Sequence, residues 1–404
     1  MVDRLPRAAA SNVVAHLCAI GTFVTVMASA QAAIAFRAAS QASTAGPGTI
    51  SRLAGSTSTG NSTSLTITKP AGVTTNDVLV AQITLKGVVA TVTPPGSWNL
   101  LDLRSTATAG GQITQAAYWR LAGAAEPATY IWSWTGARVV SGGITAYRSV
   151  EPASPIDASG AQTTNNNATI ALPNITTNSI NTMLVALLGS SRASSHSAPT
   201  GMTERYDVNS GAGVAGVTTS ESDQNQAAAA ATGAKTATIA AGAADNIAHL
   251  IALRARNSLT IPVPAGTLAN DVMVAGVTLR PCSNSSGGAC TVTVVAPAGW
   301  TIVNSIDQTT GAGTGGYGNR LYIYRRVASA SEPASYTWFI NGTPALNGAA
   351  GGIASFSGVD TTNPIVTSAG QPTAAGAVQT ASSINTGAIS NTMLVSTYAM
   401  NSAG

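Results

Sequence analysis

The segment SLTITKPAGVTTNDVLVAQITL, beginning at Ser64, returns as SLTIPVPAGTLANDVMVAGVTL at Ser258, with 14 of 22 positions identical. A repeat of this size means that one folding unit is built twice, so any architecture must serve both copies. The correspondence continues in order. Trp98 of PPGSW answers Trp300 of PAGW, and YWRLAGAAEPATYIW answers YRRVASASEPASYTW, pairing Glu126 with Glu332 and Trp132 with Trp338. GGITAYRSVEPASPI answers GGIASFSGVDTTNPI, and NTMLV at Asn181 answers NTMLV at Asn391. The offset drifts only from 194 to 210 residues, so insertions are small.

The unit has a β pattern. YIWSW places Tyr130, Trp132 and Trp134 on one face and Ile131 and Ser133 on the other. YTWFI repeats the alternation with Tyr336, Trp338 and Ile340. VLVA and VMVA are short continuous apolar runs, as expected of strands buried on both faces, and PAG, PPG, NDV and EPA punctuate them. No amphipathic helix is evident, and the alanine run 227–231 admits at most a helical turn. The expected fold is all-β: tandem antiparallel β-sandwiches, jelly-roll-like, with the second copy incomplete. The expected boundaries are a signal peptide at 1–30, a strand plus a Gly/Ser/Thr-rich lead-in at 31–63, a first sandwich at 64–256 and a second at 257–404. The copies abut without a linker.

The second copy has no counterpart to residues from about Gly201 to Arg254. A sandwich without those strands exposes an inner face and open edges. Three readings stay open: the sequence is a piece of a longer chain, the second unit closes differently, or a neighbouring subunit supplies strands. IAFRAASQAS, near the N-terminus, is a candidate donor because it resembles the closing strand IALRARNS at Ile251.

Charged residues make up only 8% of the chain, which weakens the usual defence against self-association. The net charge is +4, with lysines and arginines scattered, so neither nucleic acid nor an anionic membrane surface is an expected partner. Residues 1–30 have a short basic start, an apolar stretch and small residues before a cleavage point at Ala30 or Ala32, the anatomy of a secretory signal. No later stretch is long and apolar enough for a membrane span. Cys282 and Cys290 bracket turn-forming residues in PCSNSSGGACTV, and a local disulfide is expected in an oxidising compartment.

Chemistry is sparse. His196 and His249 have no match in the other copy, and no GxSxG or HExxH occurs. GAGVAG at Gly211 and GTGGYG at Gly313 fit GxGxxG, but no strand–helix unit surrounds them. Asp207 and Asn209 in DVNSG are spaced like the opening of a calcium loop whose distal acid is missing, a pattern shared by an Asx-rich turn. Glu126 and Glu332 occur singly in each copy and read as side chains that satisfy turn backbone, as do Asp77 and Asp271 in NDV. The recurring tryptophans read as core. Trp119 and Trp134 do not recur and are candidates for stacking on a sugar ring.

The combination of PAGxxxNDVxVA, PxGW, the YxRxAxxxEPAxYxW block and the GVD-type turn resembles a β-sandwich module repeated in large secreted bacterial surface proteins. The resemblance implies an extracellular structural or adhesive role, no cofactor and no catalytic residues. The expectation is therefore a secreted structural protein that self-associates, as a homo-oligomer or polymer, into a surface layer, stalk or filament. The alternative is a carbohydrate-binding or adhesion module for surface glycans.

Overall fold

The computed structural model describes residues 33–43, 46–107, 111–280, 293–308, 319–341, 348–372 and 380–399. The expected signal peptide and the Cys282/Cys290 loop lie outside them. Among the described residues every ladder is antiparallel and the single helical element is a 3-10 turn at Gly213–Ala215. Among these residues no helix is long and apolar enough to cross a membrane.

The architecture grows from strands that are apolar on both faces. In Val78–Lys86 every residue through Leu85 is buried. Leu79, Ala81, Ile83 and Leu85 enter one hydrophobic cluster, whereas Val78 and Val80 enter another. A strand with this pattern must lie between two layers. It sits in a five-stranded sheet whose order is Ser51–Thr68, Thr129–Arg148, Val78–Lys86, Ile113–Leu121, Asn99–Ser105. A second five-stranded sheet runs Thr203–Ser210, Val217–Gln226, Thr182–Ser190, Ala244–Leu253, Ile156–Asn167. The two pack face to face through Val78, Val80 and Tyr147 on one side and Met183, Val185, Leu187, Ile251 and Leu253 on the other.

The second copy of the repeat builds a five-stranded sheet in the order Ala35–Ala42, Gly348–Ser357, Val272–Arg280, Asn319–Val327, Thr301–Gln308. A four-stranded sheet, Thr293–Val295, Ser335–Asn341, Asn257–Pro262 and Gly46–Pro47, covers its inner face. The cores of the copies match in detail. Trp98 meets Tyr130 and Trp132 edge-on, each at 5.2 Å, and Trp300 meets Tyr336 and Trp338 edge-on at the same distance. The alternation expected of YIWSW is present: Tyr130, Trp132 and Trp134 are buried, and Ile131 is exposed.

Three local expectations need correction. Residues 51–62, expected as a flexible lead-in, are the first part of the strand Ser51–Thr68, which pairs along Thr129–Arg148. Serine, threonine and glycine disguised it. An edge strand that is half-solvated needs no apolar run, and the long partner strand supplies its hydrogen bonds. DVNSG is not a turn, because Asp207 and Asn209 lie within the strand Thr203–Ser210. The alanine run is not helical; Ala231 bridges Thr176.

The outer faces of the two copies differ. In the first, the second five-stranded sheet covers Val78 and Val80. In the second, the equivalent Val272 and Val274 line a cavity of 720 Å³ beneath the irregular residues 358–372 and 380–399. NTMLV shows the same contrast: Leu184 is fully buried on a central strand, whereas Leu394 is 73% exposed.

The paired glycines have a packing reason. A Cβ at Gly142 would stand 2.8 Å from the Gln82 carbonyl oxygen, and one at Gly351 would stand 2.7 Å from that of Gly276. Gly142→Ala and Gly351→Ala should each cost about 1–3 kcal/mol through overpacking, read as a lower urea midpoint. An unchanged midpoint would show that the neighbouring strands can separate freely.

Candidate assembly edge

In both copies an aspartate closes the turn before the first core strand. Asn76 and Asn270 take the left-handed conformation, φ 70° and 69°, and turn the chain so that the following aspartate points back. Asp77 Oδ2 accepts the Thr74 backbone N–H at 2.7 Å, and Asp271 Oδ2 accepts that of Leu268 at 2.8 Å. The expectation of a turn-closing role is met. Glu126 and Glu332 meet it as well, accepting the backbone N–H of Gly123 and of Ser329, both at 2.6 Å. Each glutamate also pairs with an arginine, Arg120 or Arg326, and accepts the hydroxyl of Tyr130 or Tyr336.

Both turn aspartates are almost fully buried, so each needs a cation. In the first copy Arg148 supplies it, with Nε on Oδ1 at 3.0 Å and Nη2 on Oδ2 at 2.8 Å. Arg148 also donates to the Gly72 carbonyl and to Thr74 Oγ1. The second copy has Ser357 at the position equivalent to Arg148. Arg37, from the N-terminal strand, takes over there. Its Nε lies 2.6 Å from Asp271 Oδ2, and its Nη2 donates to Oδ1 at 3.1 Å. Such a two-pronged pair is the strongest form of this contact.

The strand Ala35–Ala42 carries that arginine into place by pairing with Gly348–Ser357. It is half-exposed. Phe36 meets Phe356 edge-on at 5.9 Å, Ala42 packs on the second core, and Ser40 Oγ donates to the Pro262 carbonyl. The sequence marked this segment as a donor for its likeness to the strand at Ile251. The structure seats it elsewhere, in the place that residues 51–58 occupy in the first copy.

The remaining candidates are dispersed. Trp134 is buried in the core with Nε1 donating to the Ser62 carbonyl at 3.0 Å, a position that leaves no face for a sugar. Trp119 is half-buried and shares a face with Ala117 and Leu121. Asp207 Oδ2 accepts the His196 backbone N–H, and Asn209 Oδ1 accepts Thr218 Oγ1. Among the described residues no three histidine, cysteine or acidic side chains gather as metal ligands. His196 is buried, its ring nitrogens bound to Ser190 Oγ at 2.6 Å and Ser220 Oγ at 2.7 Å. Burial pushes its pKa down to about 4, so the ring is neutral at pH 7. His249 is held between Gln115 and Asp102, each at 3.2 Å. Both ring nitrogens of each histidine are thus hydrogen-bonded.

One feature escaped sequence reasoning. Val217–Gln226 reads VTTSESDQNQ and is buried through Asp223. Its polar groups find partners across the layer: Tyr147 donates to Glu221 Oε1 at 2.9 Å, and Arg205 holds Asp223 at 2.5 Å. Burial pushes the Glu221 carboxyl up to about 7. No periodic apolar signal betrays such a strand.

Comparison with known protein families, with curated proteins and with solved structures finds no match to this chain.

Two tests follow from this geometry. Arg37→Ala strands a buried carboxylate, at about 1–3 kcal/mol, and should speed amide exchange in Gly348–Ser357. Adding Ser357→Arg, which restores the first copy's arrangement, should recover that protection. The folded state holds a proton on Glu221 up to about pH 7, whereas the unfolded chain loses it at the ordinary carboxylate value near 4.5. Its contribution is therefore present at low pH and lost as pH rises towards 7, by roughly 3 kcal/mol. Glu221→Gln should raise the melting temperature at pH 8 and leave it nearly unchanged at pH 4.5.

Proposed function

We propose that this chain is a secreted, extracellular structural protein that self-associates into a surface layer, stalk or filament. Its fold is read as tandem antiparallel β-sandwiches of jelly-roll type, with a disulfide between Cys282 and Cys290 stiffening one loop. The observation that carries the reading is how the recurring polar side chains are used. Asp77 with Arg148, Asp271 with Arg37, and Glu126 and Glu332 with their arginines and tyrosines are all engaged in holding turns and strands. A chain that twice commits its acids to architecture is suited to bearing load.

Self-association is supported by composition and by edges. With 8% charged residues there is little like-charge repulsion between copies. The half-exposed edge strand Ser51–Thr68 presents serine, threonine and glycine, with few charges to prevent strand-on-strand contact. Light scattering on the purified chain should show mass growing with concentration, and electron microscopy should show regular layers or fibres. A chain that stays monomeric at high concentration, with featureless fields, would overturn the reading.

A further inference from the structure

We propose that the strand Ala35–Ala42 is an exchangeable element, and that the edge Gly348–Ser357 accepts it from a second copy of this chain. The inference rests on the self-association reading and names the contact through which copies join.

The first argument is positional. In the first copy Ser51 pairs with Arg148 and Ser58 with Gly142; in the second Ala35 pairs with Ser357 and Ala42 with Gly351. Arg148 and Gly142 are the repeat equivalents of Ser357 and Gly351, so the two edge strands superpose sixteen positions apart throughout. Both carry a bulge at the same place, after Arg52 and after Phe36. Ala35–Ala42 is therefore a specific replacement for a strand that the second copy lacks.

The second argument is connectivity. In the first copy the edge segment runs on, through a bulge after Ser62, into Ser64–Thr68 of the same strand, so that copy supplies its own edge. The second copy is entered from Ala244–Leu253, which lies at the heart of another sheet. The chain directly upstream cannot reach the edge, and the strand that closes it comes from more than 300 residues away, where Ser357 Oγ meets the Ala35 carbonyl.

The third argument is chemical. The strand is recognised by a backbone ladder, by Phe36 against Phe356 and by Arg37 against Asp271. None of these contacts depends on whether donor and acceptor share a chain, so concentration decides between closure and exchange. Arg37 also sets the register. A slip of one residue would turn it to the other face and leave Asp271 buried without its cation. The strand is half-exposed, with Phe36 at 58%, so its release breaks an edge and not a core. Exchange that is not reciprocated joins copies head to tail and leaves both ends open, which is the geometry of a filament.

The test uses two single variants of the full chain, Ala39→Cys and Ala354→Cys, at positions that face each other across the ladder. They are mixed under mild oxidation and resolved on a non-reducing gel, with the unsubstituted chain and each variant alone as controls. A covalent dimer specific to the mixture should appear, increase with concentration, and fall at least tenfold when the Ala39→Cys chain also carries Arg37→Ala. The double variant Ala39→Cys/Ala354→Cys in one chain should close internally at low concentration, which verifies the register. Internal closure with no mixture-specific dimer at any concentration overturns the exchange. If the unsubstituted chain still assembles by light scattering in that case, the structural reading stands and another surface joins the copies. Mixture-specific dimers without larger assemblies would support exchange and overturn the layer or filament.

Discussion

A carboxylate that must be buried at a turn governs this structure. The aspartate after NDV's asparagine folds back to hold its own turn, and the strand that follows is buried on both faces. The aspartate is therefore carried out of water with that strand. An ionised carboxylate in such a place is tolerable only beside a cation. The first copy finds its arginine at the end of the neighbouring strand of the same sheet, at Arg148. The second copy has serine there, and its requirement falls on Arg37. One ion pair thus ties the N-terminal strand to the second half of the molecule.

The same rule explains how the glutamates and the polar strand are tolerated. Glu126 and Glu332 are held by an arginine, a tyrosine hydroxyl and a turn N–H. Val217–Asp223 goes further and buries serine, threonine, glutamate and aspartate between two sheets. Burial is tolerated there because tyrosine and arginine partners converge on the acids and because Glu221 keeps its proton to about pH 7. Networks of this kind give a unique register to sheets that apolar contacts alone would let slide.

The two copies also show how much a neighbouring layer matters. Val78 and Val80 lie against a second sheet, whereas Val272 and Val274 lie over a cavity. NTMLV is a buried central strand in one setting and exposed, irregular chain in the other. Identical residues behave differently because a strand needs hydrogen-bonding neighbours, and local sequence does not provide them.

The amino-acid sequence by itself determined the repeat, the β class, the alternation of Tyr130, Trp132 and Trp134, and the turn roles of Asp77, Asp271, Glu126 and Glu332. These follow from periodicity and from side chains that bond within three or four residues of themselves. It also marked the N-terminal segment as a donor strand. Only the tertiary structure decided where that strand goes, that residues 51–62 are strand, that Trp134 is core, and that the polar run Thr218–Asp223 is buried. Each of these depends on a partner many residues away. Burial and pairing are properties of the assembled layers, and a serine-rich edge or a buried glutamate has no local pattern to announce it.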